Sequence, residues 1–369
     1  MYNLANFHYR QFFFNLEEFL NYYDLQVILK DHEAYKVLPA QTSQQILRLV
    51  IQNWKAFWRA LKEYRKNPRK FLGIPKMPNY KKKNGESLAI FTNQNTRIKN
   101  GMIYFPIKTG LPPIKTRIEK YQQIRIIPKG RYYIYEIIYH REEKNLRLHK
   151  SRILSVDLGI NNLLTTANNI GLAPLIVKGR VIKSINQWYN KVRGLNRSYV
   201  TSSHPETKWM TIQTKKRNNR IKDYFHKTSR KLIDYCIDHD IGKIIIGYNE
   251  KWKQKSNIGK KNNQSFVSIP HYQLIKMIQY KAQLVMIEVI LTEESYTSKC
   301  SALDNEPIRK LNTYMGKRIK RGLFLSSKGI KINADVNGAI NIMKKVVPTA
   351  LDGKGIEAMV LSPQIVKIT

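Results

Sequence analysis

Two cysteines in 369 residues, Cys236 and Cys300, are too few for a disulfide scaffold or a four-thiolate zinc site. Acidic residues are scarce as well: 26 Asp and Glu face 65 Lys and Arg, which leaves +39 at pH 7. That excess is far more than solubility requires, and charge of this size acts on partners rather than on fold. No apolar run approaches the ~20 residues of a membrane span. The opening Met1-Tyr2-Asn3-Leu4 is not a basic segment leading into an apolar core, so no export signal is read. What is present, 42% apolar and 11% aromatic residues, suffices for a sizeable core and two ordinary domains. The expectation is a cytoplasmic, nucleoid-associated protein with a polyanionic partner and no membrane.

The first 40 residues are aromatic-rich and mixed. After Pro39, with Thr42 or Ser43 available as a cap, apolar residues recur at Ile46, Leu47, Val50, Trp54, Phe57, Trp58 and Leu61, the stripe of a helix buried on one face. Between Arg59 and Lys83 lie ten basic residues and one acid, Glu63, punctuated by Pro68, Pro75 and Pro78, which forbid a continuous helix. Arg59, Lys62, Arg65, Lys66, Arg69, Lys70 and Lys76, interleaved with Tyr64, Phe71 and Tyr80, suit phosphates and stacked bases; a solvated linker is the plainer alternative. Strands are expected at Met102–Ile107, Gln123–Ile127 and Arg131–Tyr139, the last two joined through Pro128-Lys129-Gly130. Residues 1–150 thus read as a small β domain with a helical insert over about 38–85.

Residues 151–347 read as α/β, followed by a tail over 348–369. Ile153–Asp157 and Leu163–Ala167 form a hairpin, Lys243–Gly247 and Ile287–Thr292 are further strands, and helices cover roughly Lys208–His239, Tyr272–Met286 and Asp335–Val346. Asp157 ends an apolar strand and Asp335 opens a helix; either alone is commonly a local turn or cap residue. Small Gly338 and Ala339 would let that last helix lie against the sheet and carry Asp335 to the strand ends. Carboxylates converging there are what a site for two Mg²⁺ or Mn²⁺ ions needs, since like charges tolerate proximity when cations lie between them.

The string Ser155-Val156-Asp157-Leu158-Gly159-Ile160-Asn161-Asn162-Leu163 resembles the first catalytic motif of the TnpB (OrfB-type) proteins, insertion-sequence-encoded RNA-guided DNA nucleases related to the type V CRISPR effectors. Asn333 through Ile342 resembles their last motif. Ile246-Gly247-Tyr248-Asn249 with Trp252-Lys253-Gln254, and Glu294-Ser295-Tyr296-Thr297-Ser298-Lys299, match in order between the two. Leu38-Pro39-Ala40-Gln41, Trp54-Lys55-Ala56-Phe57, Phe71-Leu72-Gly73 and Pro75-Lys76 extend the likeness towards the N-terminus. The resemblance implies an RNase H-like (RuvC-type) α/β nuclease domain behind a β-barrel-like domain with a helical insertion that binds guide RNA and target duplex. It also implies a monomer on a guide transcribed from its own locus, double-stranded target DNA, and a two-metal mechanism with Asp157, Glu294 and Asp335 as ligands.

Three departures follow. Most relatives place the middle catalytic Glu where this chain has Gly247; Glu250, Glu293 and Glu294 are the substitutes, and Glu294 is favoured because neighbouring strands lie only ~4.8 Å apart. Adjacent side chains face opposite ways, so at most one of Glu293 and Glu294 should ligate. Many relatives hold zinc with two Cys-x-x-Cys pairs; here Cys300 lacks its partner, Leu303 stands in that place, and Leu325 and Lys328 occupy those of the second pair. No structural zinc is expected, the hairpin over about 297–330 being held by Leu303, Leu323, Phe324 and Leu325. Finally, Tyr2-Asn3-Leu4 followed by Arg10-Gln11 matches a point inside relatives, so an initial strand is expected to be missing.

Lys215 to Lys231 holds eight basic residues and one acid, Asp223. Lys215, Lys216, Arg217, Arg220, Lys227 and Arg230 read as a phosphate track, which Lys253 and its neighbours Lys251, Lys255, Lys260 and Lys261 extend. The rival readings are a nuclease-dead, RNA-guided DNA-binding repressor, and a basic nucleic-acid chaperone assisting a transposase.

Overall fold

The computed structural model describes every residue except 18, 84, 131, 202–206, 250–258, 352–362 and 369, and the backbone alone of 260–262 and 265. The chain divides into two units, Met1–Arg141 and Glu142–Thr369.

The first unit opens with helices: α1 (Tyr2–Leu16), α2 (Tyr22–Leu29), the short α3 (Glu33–Lys36) and the long α4 (Ala40–Lys66). Leu25, Leu47, Val50 and Trp54 are wholly buried among them. Tyr9 stacks on Trp54 at 4.4 Å, while Trp54 Nε1 donates to Asn6 Oδ1 at 2.9 Å, so the indole is satisfied at both face and edge. Helix therefore occupies the chain from its second residue and is not confined to an insert over 38–85. The early aromatics hid this, because clustered rings such as Phe12-Phe13-Phe14 blur the period of 3.6. Helix α4 starts at the residue after Pro39; Thr42 and Ser43 lie inside it rather than capping it, with Ser43 Oγ donating to Tyr35 O at 2.8 Å. It ends at Lys66, ahead of Pro68, where the pre-proline residue is pushed out of helical geometry.

The strands that follow are β1 (Ala89–Thr92), β2 (Arg97–Lys99), β3 (Met102–Tyr104), β4 (Ile114–Lys115), β5 (Gln123–Pro128) and β6 (Tyr133–Ile138). They pair as two separate three-stranded antiparallel sheets, β1-β5-β6 and β2-β3-β4, around Phe91, Ile103 and Ile124. The strand expected over Met102–Ile107 stops at Tyr104, because Pro106 lacks the donor a ladder needs and a 3₁₀ turn follows at Ile107–Thr109.

The second unit is built on a six-stranded mixed sheet. Its strands are β7 (His149–Asp157), β8 (Asn162–Asn168), β9 (Leu175–Lys178), β10 (Ile241–Gly247), β11 (Glu288–Thr292) and β15 (Gln364–Val366), in the order β11-β10-β7-β8-β9-β15. β7, β8 and β9 form an antiparallel meander, and β10 and β11 add in parallel beside β7. Helices α5 (Arg180–Ser198), α6 (Lys208–Asp238), α7 (Lys260–Val267), α8 (His271–Gln283) and α9 (Ala334–Val346) complete the layer structure. Both faces of the sheet are covered, as the unbroken apolar run Ile244-Ile245-Ile246 requires. Ile244 and Ile246 pack with Phe225, Leu232 and Ile278 of α6 and α8, whereas Ile245 packs with Ile340 and Ile342 of α9. A small antiparallel sheet, β12 (Lys317–Lys320), β13 (Leu323–Leu325) and β14 (Lys331–Asn333), precedes α9 and buries Phe324 against it. Among the described residues no helix is long and apolar enough to cross a membrane.

Candidate functional site

Asp157 is the last residue of β7, and the chain turns sharply behind it. A Cβ on Gly159 would meet Asn162 O at 2.5 Å, so only glycine fits the turn, and His271 Nε2 donates to Gly159 O at 3.1 Å from the start of α8. Across the sheet, the register pairs Ile246 of β10 with Val156 and Gly247 with Thr292 of β11, so Asp157, Gly247 and the residues just past Thr292 arrive at one sheet end.

Gly247 explains how the shifted glutamate fits. A side chain there would place its Cβ 3.0 Å from Glu294 Oε2 and 2.5 Å from Ile342 Cδ1. The Glu294 carboxylate thus lies over the backbone of residue 247, reaching across from the neighbouring strand, while its amide donates to Asn249 Oδ1 at 2.9 Å. Glu293 faces the other way: Lys345 Nζ lies 2.6 Å from its Oε2, and Ser295 N donates to Oε1 at 3.1 Å. Glu250 and Lys253 lie outside the described residues.

Asp335 belongs to the first turn of α9 and is not its cap; Asn333 Oδ1 accepts from Asp335 N (2.9 Å) and Val336 N (3.3 Å). The helix lies hard on β7. Ser155 Oγ donates to Ala339 O at 2.7 Å, and a Cβ on Gly338 would meet Asp157 Oδ2 at 2.8 Å. Two further side chains, which sequence reasoning missed, converge on Asp335: Asn162 Nδ2 donates to Oδ2 at 2.7 Å, and Arg318 of β12 lies 3.5 Å from Oδ1. Neither carries a local sequence signal, since their role depends on tertiary approach alone.

The three carboxyls repel one another. Burial first, then the charges of Glu294 and Asp335, push Asp157 up to about 8, with Arg318 and the Leu158 amide opposing. Burial and Glu293 push Glu294 up to about 7 against Lys345. Among the described residues no three His, Cys, Asp or Glu side chains are gathered closely enough to hold one ion between them. The donor set suits hard cations all the same. It is all oxygen, Asp157 and Glu294 resist ionising without a cation, and the missing Cβ at Gly338 leaves Asp157 Oδ2 room.

The basic residues divide. Arg59, Lys62, Arg65, Lys66, Arg69, Lys70 and Lys76 are exposed, with Lys70 pairing Glu63 at 2.7 Å. Of the interleaved rings, Tyr64 and Phe71 meet edge to face at 5.7 Å, and Arg10 lies 4.9 Å over Tyr80. On α6, Lys215, Lys216 and Arg220 face solvent. Arg217 does not: Nε donates to Asn186 Oδ1 (2.8 Å) and Nη2 to Ser268 O (2.7 Å), so it fastens α6 to its neighbours. Lys227 pairs Asp223 at 2.9 Å and Arg230 pairs Asp234, so two members of the expected phosphate track are engaged by acids on the same helix. Sequence spacing could have found these pairs, because each is an i, i+4 match.

A family model described as a probable transposase, OrfB_IS605, matches residues 137–253, and a model for the Cas12f1-like TNB domain matches residues 271–342. The TnpB-like protein ORF457 of Acidianus two-tailed virus is 24% identical over 224 residues, 56% of this chain and 45% of the relative. The CRISPR-associated endodeoxyribonuclease Cas12f2 of a Micrarchaeota archaeon is 26% identical over 276 residues, 70% and 49% of the two chains. The chain thus spans about half the length of these curated relatives. In fold it is similar to Cas12f1, solved by cryo-EM with sgRNA and target DNA, at a TM-score of 0.55 and 15% identity over 92% of this chain and 79% of that one. The fold is similar to that of Cas12f1, the two family models fall almost wholly on the unit that carries the three carboxylates, and the chain is a TnpB-type relative of the type V effectors.

Proposed function

We propose that this chain is an RNA-guided DNA endonuclease whose nuclease centre is built from Asp157, Glu294 and Asp335 on an RNase H-like (RuvC-type) sheet. The observation that carries the reading is that the charges of Glu294 and Asp335 bear on buried Asp157 at one sheet end, with Asp157 and Glu294 held well above the usual carboxylate range. Asp157, Glu294 and Asp335 would hold Mg²⁺ or Mn²⁺, which would supply the Lewis acidity that phosphodiester hydrolysis needs. The chain's own groups do the rest. Gly247 clears the space Glu294 occupies, and Asn162 and Arg318 orient Asp335. The exposed bases of α6 and of residues 59–76 hold phosphates of the guide and the target duplex. Sequence choice is left to base pairing, as in other guided effectors. The ribbon before α9 is read as free of zinc, and the active species as one chain on one guide RNA from its own locus.

The test is to express the chain with its genomic flanks, sequence the RNA that copurifies, and assay cleavage of a plasmid matched to that RNA. The expected result is guide-dependent, divalent-ion-dependent cutting that Asp157→Ala abolishes while guide and target binding persist. Cutting that survives Asp157→Ala overturns the site. Binding without any cutting by the unaltered chain supports the repressor reading instead. Metal-independent annealing without guide dependence supports the chaperone reading.

A further inference from the structure

Helix α9 carries three polar side chains, Asn337, Asn341 and Lys344, at i, i+4 and i+7, hence on one face, and all three are buried. Burying an ammonium and two amides on a helix already packed on a sheet is costly unless each finds partners. Their partners lie in the stretch just after Glu294. Asn341 Nδ2 donates to Thr297 O and to Cys300 O, both at 2.8 Å. Asn337 Nδ2 donates to Cys300 O at 2.9 Å, and its Oδ1 accepts from Ala302 N at 2.9 Å. Lys344 Nζ donates to Ala302 O at 2.8 Å and to Asn305 Oδ1 at 3.0 Å.

The chain between is short and strained. Thr297 donates to Glu294 O through Oγ1 (2.8 Å) and through its amide (3.3 Å), so the residue whose carbonyl is clasped is itself bonded to the backbone of Glu294. Tyr296 sits at φ +67°, a left-handed conformation unfavourable for an aromatic residue, which persists where surrounding contacts over-determine it. Buried Glu306 extends the clasp, accepting from Ser301 N at 2.7 Å and from Met315 N at 2.8 Å, which ties the loop to the sheet bearing Arg318.

We infer that Asn337, Asn341 and Lys344 are positioning residues: their stripe on α9 clasps the strained 294–302 turn and so sets the Glu294 carboxylate against Asp335, which opens the same helix. This inference rests on the carboxylate reading of the site. Its chemical logic is that a site built from separate elements works only at fixed separation, and a supporting shell displaced by about 1 Å costs on the order of 100-fold.

The experiment measures Mn²⁺ binding to the full chain by electron paramagnetic resonance without nucleic acid, alongside guided cleavage, for Asn341→Ala, Lys344→Met, Lys344→Arg and Asp157→Ala. The expected result is Mn²⁺ affinity about 10- to 100-fold weaker in Asn341→Ala and Lys344→Met. Cleavage by these variants should be slower by a similar factor and partly recovered at high Mn²⁺, with DNA affinity unchanged and partial rescue in Lys344→Arg. Lys344→Met keeps the apolar stem and serves if Asn341→Ala does not fold. Unchanged Mn²⁺ affinity and cleavage in either folded variant overturns the inference. Unaltered protein whose Mn²⁺ binding is indifferent to Asp157→Ala overturns the carboxylate reading itself, a separate outcome.

Discussion

A carboxyl held near pH 8 at Asp157 has consequences for folding as well as for chemistry. An unfolded Asp loses its proton near ~3.9, so between that value and about 8 the native state binds more protons than the unfolded one. The stability that protonated Asp157 contributes is therefore complete at low pH and is lost as pH rises through about 8. Thermal melts in divalent-free buffer from about pH 5 to about pH 8.5 should show Asp157→Asn gaining on the unaltered chain as pH rises. A constant gap between the two curves would contradict this. Gly338→Ala probes the same carboxyl from the opposite side. Alanine is ordinarily the better helix residue by ~0.5–1 kcal/mol, yet its Cβ would fall 2.8 Å from Asp157 Oδ2. The melting temperature should change little while cleavage drops at least about 10-fold, each 1.4 kcal/mol of transition-state loss being a factor of ten. Arg318 and Asn162, the residues that fix Asp335, were not legible in the sequence. An arginine in a basic hairpin and an asparagine after a turn look like any others until the fold brings them to the carboxyl.

Elements with a wide apolar stripe or an unbroken aliphatic run were legible: β7, β8, β10, β11, α6, α8 and α9 lie within a few residues of their expected spans. Those missed lack such a signal. Helix α5 buries only Ile182 and Asn186, β9 and β15 are three- or four-residue strands, and β15 pairs with a strand far back along the chain. Helix α6 also shows why a count of charges misleads. Its exposed Lys216 and Arg220 are set apart from Lys227 and Arg230, which are engaged by acids one turn away. Alanine at the first two should lower the log–log salt slope of duplex binding by up to about 1.8, at ~0.9 per phosphate. Alanine at Lys227 and Arg230 should leave the slope nearly unchanged; equal losses from both sets, read by titration across salt concentrations, would refute the division.

For the whole molecule, the sequence-based boundary at residue 150 compares with a division at Arg141 and Glu142, since the leading edge of β7 and the segment before it pack with the second unit. A sheet with a parallel part and helices packed on it follows from apolar patterning; its strand order does not. Which side chains meet at its end does not either, because that depends on glycines whose missing atoms make room. One contact has a wider consequence. The first matched region ends at residue 253 and the second begins at residue 271, where the His271 ring holds the turn behind Asp157 through Gly159 O. A polypeptide severed between those regions would leave Asp157 in one piece and Glu294 with Asp335 in the other. On the proposed reading neither fragment alone should cut, and their reunion, guided by β10 against β11 and α9 against β7, would act as an on-switch written into the architecture.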